Sequence, residues 1–160
     1  MTKVLYPGSF DPLTKGHMDI VDQTLELFDE IVIAVMMNSN KKNPFFTIEE
    51  RVEMISKLYE KYDNIKVISG SGATVDVALL NECSAIIRGL RSLSDYDYEV
   101  QMAQINKEIS NGRINTICLF ADKNQQFTSS SMVRELFYLD KDISQYVDDS
   151  IKYRMLLRRH

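Results

Sequence analysis

Several short stretches of this 160-residue chain concentrate residue types suited to holding phosphate. The first runs Tyr6-Pro7-Gly8-Ser9-Phe10-Asp11-Pro12-Leu13-Thr14-Lys15-Gly16-His17. Gly8 permits a tight turn with backbone amides open to a ligand, Ser9 adds a hydroxyl, and Gly16 removes a side chain where a helix would begin. Thr14 and His17 are three apart, so they share one face of a first helical turn. That puts a hydroxyl and an imidazole at the positive end of a helix, a natural place for phosphate. A histidine at a helix start is by itself more often a structural hydrogen-bonder; the glycines and hydroxyls around it favour a ligand.

Further stretches have the same character. Asn38-Ser39-Asn40-Lys41-Lys42-Asn43-Pro44 offers two lysines in a polar loop. Arg88-Gly89-Leu90-Arg91 reads either as a bidentate phosphate clamp or as a pair of structural cations for Asp95, Asp97 and Glu99. Gln125-Gln126-Phe127-Thr128-Ser129-Ser130-Ser131-Met132-Val133-Arg134 sets four consecutive hydroxyls ahead of a helical pattern. One hydroxyl suffices for an N-cap. The rest, with Arg134 a turn later, suggest an anion site. No G-x-x-x-x-G-K-[ST] occurs, and Gly70-Ser71-Gly72 lacks the third glycine of a dinucleotide loop and follows the wrong strand.

These stretches must be positioned by the elements between them. Strand-like runs occur at Lys3–Tyr6, Ile31–Met37, Ile65–Ile68, Ser84–Ile87 and Thr116–Ala121, and each precedes one of the polar stretches or Gly70-Ser71-Gly72. Ile31–Met37 is apolar throughout, as in a strand covered on both faces. Between the runs, helical spacing links Met18, Val21, Leu25 and Phe28; Val52, Ile55, Tyr59 and Tyr62; and Tyr98, Met102, Ile105 and Ile109. Thr47-Ile-Glu-Glu50 reads as a capping box. At the C-terminal end, acidic Asp148-Asp149 and basic Arg158-Arg159-His160 frame a surface helix with a solvated basic end. The alternation predicts a single α/β domain over residues 1–160: a doubly wound, Rossmann-like, five-stranded parallel sheet with helices on both faces and a C-terminal helix. In such sheets ligands bind beyond the carboxyl ends of the strands, where the polar stretches fall.

Composition sets outer bounds. Lys and Arg number 19 against 23 Asp and Glu, a net charge of −4, which weighs mildly against a nucleic-acid partner. The longest apolar run is too short for a membrane span, and no leader-like segment opens the chain, so a soluble cytoplasmic protein is expected. Cys83 and Cys118 lack metal-ligand spacing and are expected to be buried, inert thiols.

The motifs carry a resemblance. Thr14-Lys15-Gly16-His17 is a T-x-G-H form of the motif of nucleotidyltransferases related to class I aminoacyl-tRNA synthetases. With Pro7-Gly8-Ser9-Phe10-Asp11-Pro12, Arg88-Gly89-Leu90-Arg91, Asp95-Tyr96-Asp97-Tyr98-Glu99 and Thr128-Ser129-Ser130-Ser131-x-x-Arg134, the chain resembles the bacterial phosphopantetheine adenylyltransferases along nearly its whole length.

The resemblance implies transfer of the adenylyl group of ATP to 4′-phosphopantetheine, with Mg²⁺ arriving on ATP and no metal site in the protein. It further implies contacts from Ser9 and Phe10 to both substrates, and His17 on the ATP phosphates and the transition state. Arg91 and a lysine of the Lys41-Lys42 pair would neutralise charge. Arg88, Ala73 and Thr74 would meet phosphopantetheine, and Gly89, Leu90, Arg91, Glu99 and Gln125 to Ser131 would meet ATP. Counting from His17 favours Lys41 as the family lysine, and counting back from Phe46 favours Lys42. Thr128 stands where the family more often has Ile or Val. A homo-hexamer, a dimer of trimers, is the oligomer implied. The alternatives are another small-molecule nucleotidyltransferase, such as one acting on nicotinamide mononucleotide, and a non-catalytic nucleotide-binding module.

Overall fold

The computed structural model describes residues 1–40 and 42–158. In chain order the elements are β1 (Lys3–Gly8), α1 (Lys15–Leu27), β2 (Glu30–Met36), α2 (Ile48–Leu58), β3 (Ile65–Gly70), α3 (Thr74–Leu80), β4 (Ala85–Leu90), α4 (Leu93–Ile109), β5 (Asn115–Phe120), α5 (Ser130–Tyr138) and α6 (Asp149–Leu156), with a 3₁₀ turn at Lys123–Gln125. Every strand pairing is parallel, in the order β3-β2-β1-β4-β5. The order reverses between β1 and β4, and that switch point opens a crevice at the carboxyl edge.

Alternation along the central strands feeds two cores. Val4 and Tyr6 of β1 and Ile31, Ile33 and Val35 of β2 face α1, α2, α5 and α6. Leu5, Val32, Ala34 and Ile86 face α3. The uninterrupted apolar run of β2 is thereby explained, since both its faces are covered. Thr47 and Glu50 close the capping box that opens α2: Thr47 Oγ1 accepts from the Glu50 N–H and Glu50 accepts from the Thr47 N–H.

Several expectations need correction. β1 continues through Pro7-Gly8 and β4 through Arg88-Gly89-Leu90, because backbone pairing with β2 and β5 extends them past their β-branched runs. Arg88, Gly89 and Leu90 therefore lie in a strand, with only Arg91 beyond it. Tyr62 lies outside α2 and is exposed. The Tyr98, Ile105 and Ile109 stripe of α4 is also exposed; buried on that helix are Glu99 and Asn106. Cys83 is buried, which pushes its thiol up to about 11, but Cys118 is exposed because β5 is an edge strand.

The C-terminal helix is more than a surface cover. Ile151 and Met155 of α6 are buried, and Arg158, expected to be solvated, bonds Glu50 and lies over the Phe46 ring. Arg159 and His160 fall outside the described residues. No helix among the described residues is long and apolar enough to cross a membrane.

Candidate active site

A cavity of about 550 Å³ opens at the carboxyl edge over β1 and β4. Its lining comes from distant parts of the chain: Ser9 and Phe10, His17, Asn38 and Asn40, Arg88 and Arg91, and Ser129 to Ser131 with Arg134.

The β1–α1 loop is built around His17. Thr14 is the N-cap of α1, and its Oγ1 accepts from the His17 N–H at 3.3 Å. In return the Thr14 backbone N–H donates to His17 Nδ1 at 2.9 Å. A backbone N–H can only donate, so Nδ1 is the unprotonated nitrogen of the neutral ring and Nε2 carries the hydrogen. The ring is held edge-on to Phe10, centroids 5.0 Å apart, and Phe10 in turn meets Tyr6 edge-on at 5.3 Å. Gly16 lets α1 start close to the α5 entry: a Cβ there would come within 3.3 Å of the Thr128 carbonyl.

Burial pushes the His17 pKa down to about 3, and the positive charges of Arg91 and Arg88 add to the effect. The imidazole is therefore neutral at pH 7. Between pH 3 and 6.5 the unfolded chain binds a proton at this residue and the folded chain does not, so stability rises with pH across that window. The stabilisation is fully present above pH 6.5 and is lost as the pH falls toward 3. We expect the unfolding free energy of wild type, relative to His17→Gln, to fall by about 1.6 kcal/mol between pH 6.5 and 5 in urea titrations. A pH-independent difference would mean that His17 titrates alike in the folded and unfolded chain.

Two arginines stand on the β4 side, each engaged by an acid. Arg88 meets Glu99 in a two-pronged contact along one edge of its guanidinium, Nε to Oε2 at 2.9 Å and Nη2 to Oε1 at 2.9 Å, and donates from Nη1 to the Pro7 carbonyl at 3.2 Å. Burial works against the Arg88 charge, but the hydrogen bonds and charge of Glu99 outweigh it and raise its pKa. Arg91 bonds Asp95 at 3.3 Å. Both arginines thus line the cavity as members of ion pairs. Asp97 appears in neither pair.

The α5 entry uses its hydroxyls for different tasks. Ser129 is the N-cap and accepts from the Met132 N–H at 3.1 Å. Ser130 Oγ donates to the Pro12 carbonyl at 2.7 Å, tying this segment to the first loop. Gln125 and Thr128 line the cavity, whereas Gln126, exposed Phe127 and Leu90 do not.

Thr74 lines an adjoining hollow of about 70 Å³ that shares Pro7, Arg88 and Glu99 with the main cavity. Ala73 is the N-cap of α3 beside it. Lys42 is exposed and outside the cavity lining, and Lys41 lies outside the described residues.

Sequence reasoning missed the roles of Asp11 and Arg51, both buried and both bonded to backbone flanking the cavity. A signal existed for Arg51. It falls four residues before Ile55, on the buried face of α2, where a lone charge needs partners.

Residues 5–136 match the cytidylyltransferase-like family model. The phosphopantetheine adenylyltransferase of Finegoldia magna is 48% identical over 150 residues, covering 94% of this chain and 91% of that protein. That of Heliobacterium modesticaldum is 44% identical over 155 residues, covering 97% and 91%. A solved Vibrio parahaemolyticus protein, described as a candidate nicotinate-nucleotide adenylyltransferase, superposes with a TM-score of 0.68 over 99% of this chain and 93% of its own, at 16% identity. That last likeness concerns the fold.

Proposed function

The chain belongs to the phosphopantetheine adenylyltransferase family, and from that premise we propose that it transfers the adenylyl group of ATP to 4′-phosphopantetheine, releasing dephospho-coenzyme A and pyrophosphate. The observation that carries this reading is the convergence of Ser9, His17, Arg88, Arg91 and the Ser129–Ser131 segment on one cavity at the sheet's switch point.

The acceptor phosphate is already an anion, so it can attack the α-phosphorus in line without a general base and without a covalent enzyme intermediate. Catalysis then rests on positioning two polyanions and neutralising charge on the reacting phosphoryl group. His17 Nε2–H is the donor for that charge, with Arg91 and the Lys41-Lys42 pair as cations and the α1 and α5 N-termini as dipoles. Arg88, with Ala73 and Thr74 beside the smaller hollow, holds phosphopantetheine. Gly89, Leu90, Glu99 and the segment from Gln125 through Gln126, Phe127 and Thr128 to Ser131 accommodate the nucleotide.

Mg²⁺ would come with ATP and neutralise its phosphates. No group of three or more His, Cys, Asp or Glu among the described residues could hold a metal, and the carboxylates at the cavity, Asp95 and Glu99, are both engaged by arginines. One catalytic domain spanning residues 1–160, acting in the cytoplasm, completes the reading.

The test is pyrophosphate release from ATP, Mg²⁺ and 4′-phosphopantetheine, omitting each in turn. Turnover with nicotinamide mononucleotide but not phosphopantetheine would replace this substrate. ATP binding without pyrophosphate release would indicate a non-catalytic module.

We further propose a homo-hexamer built as a dimer of trimers. Leu93 (86% exposed), Phe120 (75% exposed), Tyr98, Ile105 and Ile109 leave α4 and the β5 edge apolar and uncovered in the single chain, which supports association. Light scattering at micromolar concentration should give a mass near six chains; a monomer would overturn the proposal.

A further inference from the structure

The motifs around the cavity leave three charged side chains without a part in the reaction: Asp11, Arg51 and Arg134. Asp11 is fully buried. Its two carboxylate oxygens accept from successive backbone N–H groups, Oδ2 from Phe45 at 2.8 Å and Oδ1 from Phe46 at 2.9 Å. Arg51 is 5% exposed. Its Nε donates to the carbonyls of Phe46 at 3.1 Å and Thr47 at 3.3 Å, and its Nη1 donates to the Ser9 carbonyl at 2.7 Å. Phe46 is thus held on both sides: a carboxylate of the β1–α1 loop takes its N–H, and a guanidinium of α2 binds its carbonyl. The same guanidinium grips the β1–α1 loop at Ser9. Arg134 Nη1 adds a bond to the Asp11 carbonyl at 2.7 Å.

Between Ser9 and Asp11 sits Phe10, whose φ of 49° is left-handed. A residue with a Cβ adopts that conformation only where its surroundings hold it there. Here the carbonyls on either side of Phe10 are both bound by arginines. Bulk stability does not call for such charges, since well-packed apolar residues in place of buried ions serve it as well or better. What directional bonds to backbone supply is a defined separation between two loops. One contributes Ser9 and Phe10 to the cavity; the other contributes Asn38 and Asn40, carries Lys42, and ends at Phe45-Phe46.

We propose that Asp11 and Arg51 are positioning residues for the reaction, a buried strut that sets the Phe45-Phe46 end of the loop after β2 against the Ser9-Phe10 turn and so shapes the acceptor-phosphate side of the cavity. This rests on the reading in which that loop receives 4′-phosphopantetheine.

Asp11→Asn is the sharpest test. Asn is nearly the same shape, but it offers one acceptor to two N–H groups and turns an amide donor toward the other. In the full-length enzyme we expect the KM for phosphopantetheine to rise about tenfold and the KM for ATP to stay within about twofold, a misplacement effect confined to one substrate. Arg51→Met should act in the same direction. Arg51→Lys should act less, since an ammonium can reach one carbonyl but cannot span three. If Asp11→Asn does not fold, the Arg51 pair carries the test. Unchanged KM values with only a lower melting temperature or a smaller active fraction, or equal increases for both substrates, would overturn the proposal. Failure of the underlying reading would appear separately, as wild-type enzyme that releases no pyrophosphate from ATP and phosphopantetheine.

Discussion

Replacing His17 by alanine is expected to lower kcat by about 10²–10³-fold, while affinity for ATP changes little. The size follows from what the imidazole offers. Its Nδ1 is committed as acceptor to the Thr14 N–H, so the remaining hydrogen is on Nε2. A preplaced neutral donor of this kind acts mainly on charge that develops during the reaction, and losing one such donor costs about 3–4 kcal/mol of barrier. The ground state is expected to lose much less, because in the proposed reading Arg91, the serines and two helix N-termini would still hold the triphosphate side. Alanine also removes the acceptor for the Thr14 N–H, so a modest fall in stability of about 1 kcal/mol should accompany it. His17→Gln can keep that acceptor without reproducing the imidazole donor, and comparing the two separates helix capping from catalysis. Steady-state pyrophosphate release and titration with a non-hydrolysable ATP analogue supply the two readouts. A kcat near wild type in His17→Ala would remove the histidine from the reaction.

The imidazole's place was readable because its determinants are local. Thr14 and His17 sit within one helical turn, and any chain that starts a helix there brings them together. The same holds for Thr47 and Glu50, and for β2, whose apolar run of Ile31–Met37 already required cover on both faces. Legibility ended where pairing between distant segments decides the outcome. β4 extends through Arg88, Gly89 and Leu90 because Cys118, Leu119 and Phe120 pair beside it, which the local composition did not suggest. Asp11 reaches amides 34 and 35 residues away, and Arg134 reaches the Asp11 carbonyl across 123 residues. No spacing rule covers such contacts. Helix α4 misled for a different reason: its apolar period is real, but its buried residues are Glu99 and Asn106, which border the smaller hollow with Met102, while Ile105 and Ile109 are exposed. Net charge misled similarly. A total of −4 describes the whole surface, whereas Arg88, Arg91 and Arg134 meet at one opening.

The arginines at that opening lead to the second large effect. Glu99→Ala should destabilise the fold by about 2 kcal/mol and raise the KM for phosphopantetheine about tenfold or more. The Glu99 side chain is 9% exposed and Arg88 is 32% exposed, so the pair lies between a surface contact, worth under about 1 kcal/mol, and a buried one, whose breakage costs about 3–5 kcal/mol. Removing the carboxylate leaves Arg88 with the Pro7 carbonyl as its remaining bonded neighbour and frees its head group to rotate. An arginine that binds a phosphate well must be held in place beforehand, and here the two-pronged bond to Glu99 does the holding. A second consequence runs the other way: without Glu99 the cavity loses a negative charge, which would strengthen attraction for any anion. The two effects differ in their dependence on salt. Loss of positioning raises KM at every ionic strength, whereas the electrostatic gain fades as salt screens it. Measuring KM for phosphopantetheine at about 0.05 and 0.5 M salt therefore separates them. Positioning dominates if the variant is weaker under both conditions and the gap widens at high salt. A variant that binds phosphopantetheine more tightly than wild type at low salt would show that Glu99 is mainly a competing anion, with Arg88 already oriented by the strand that carries it.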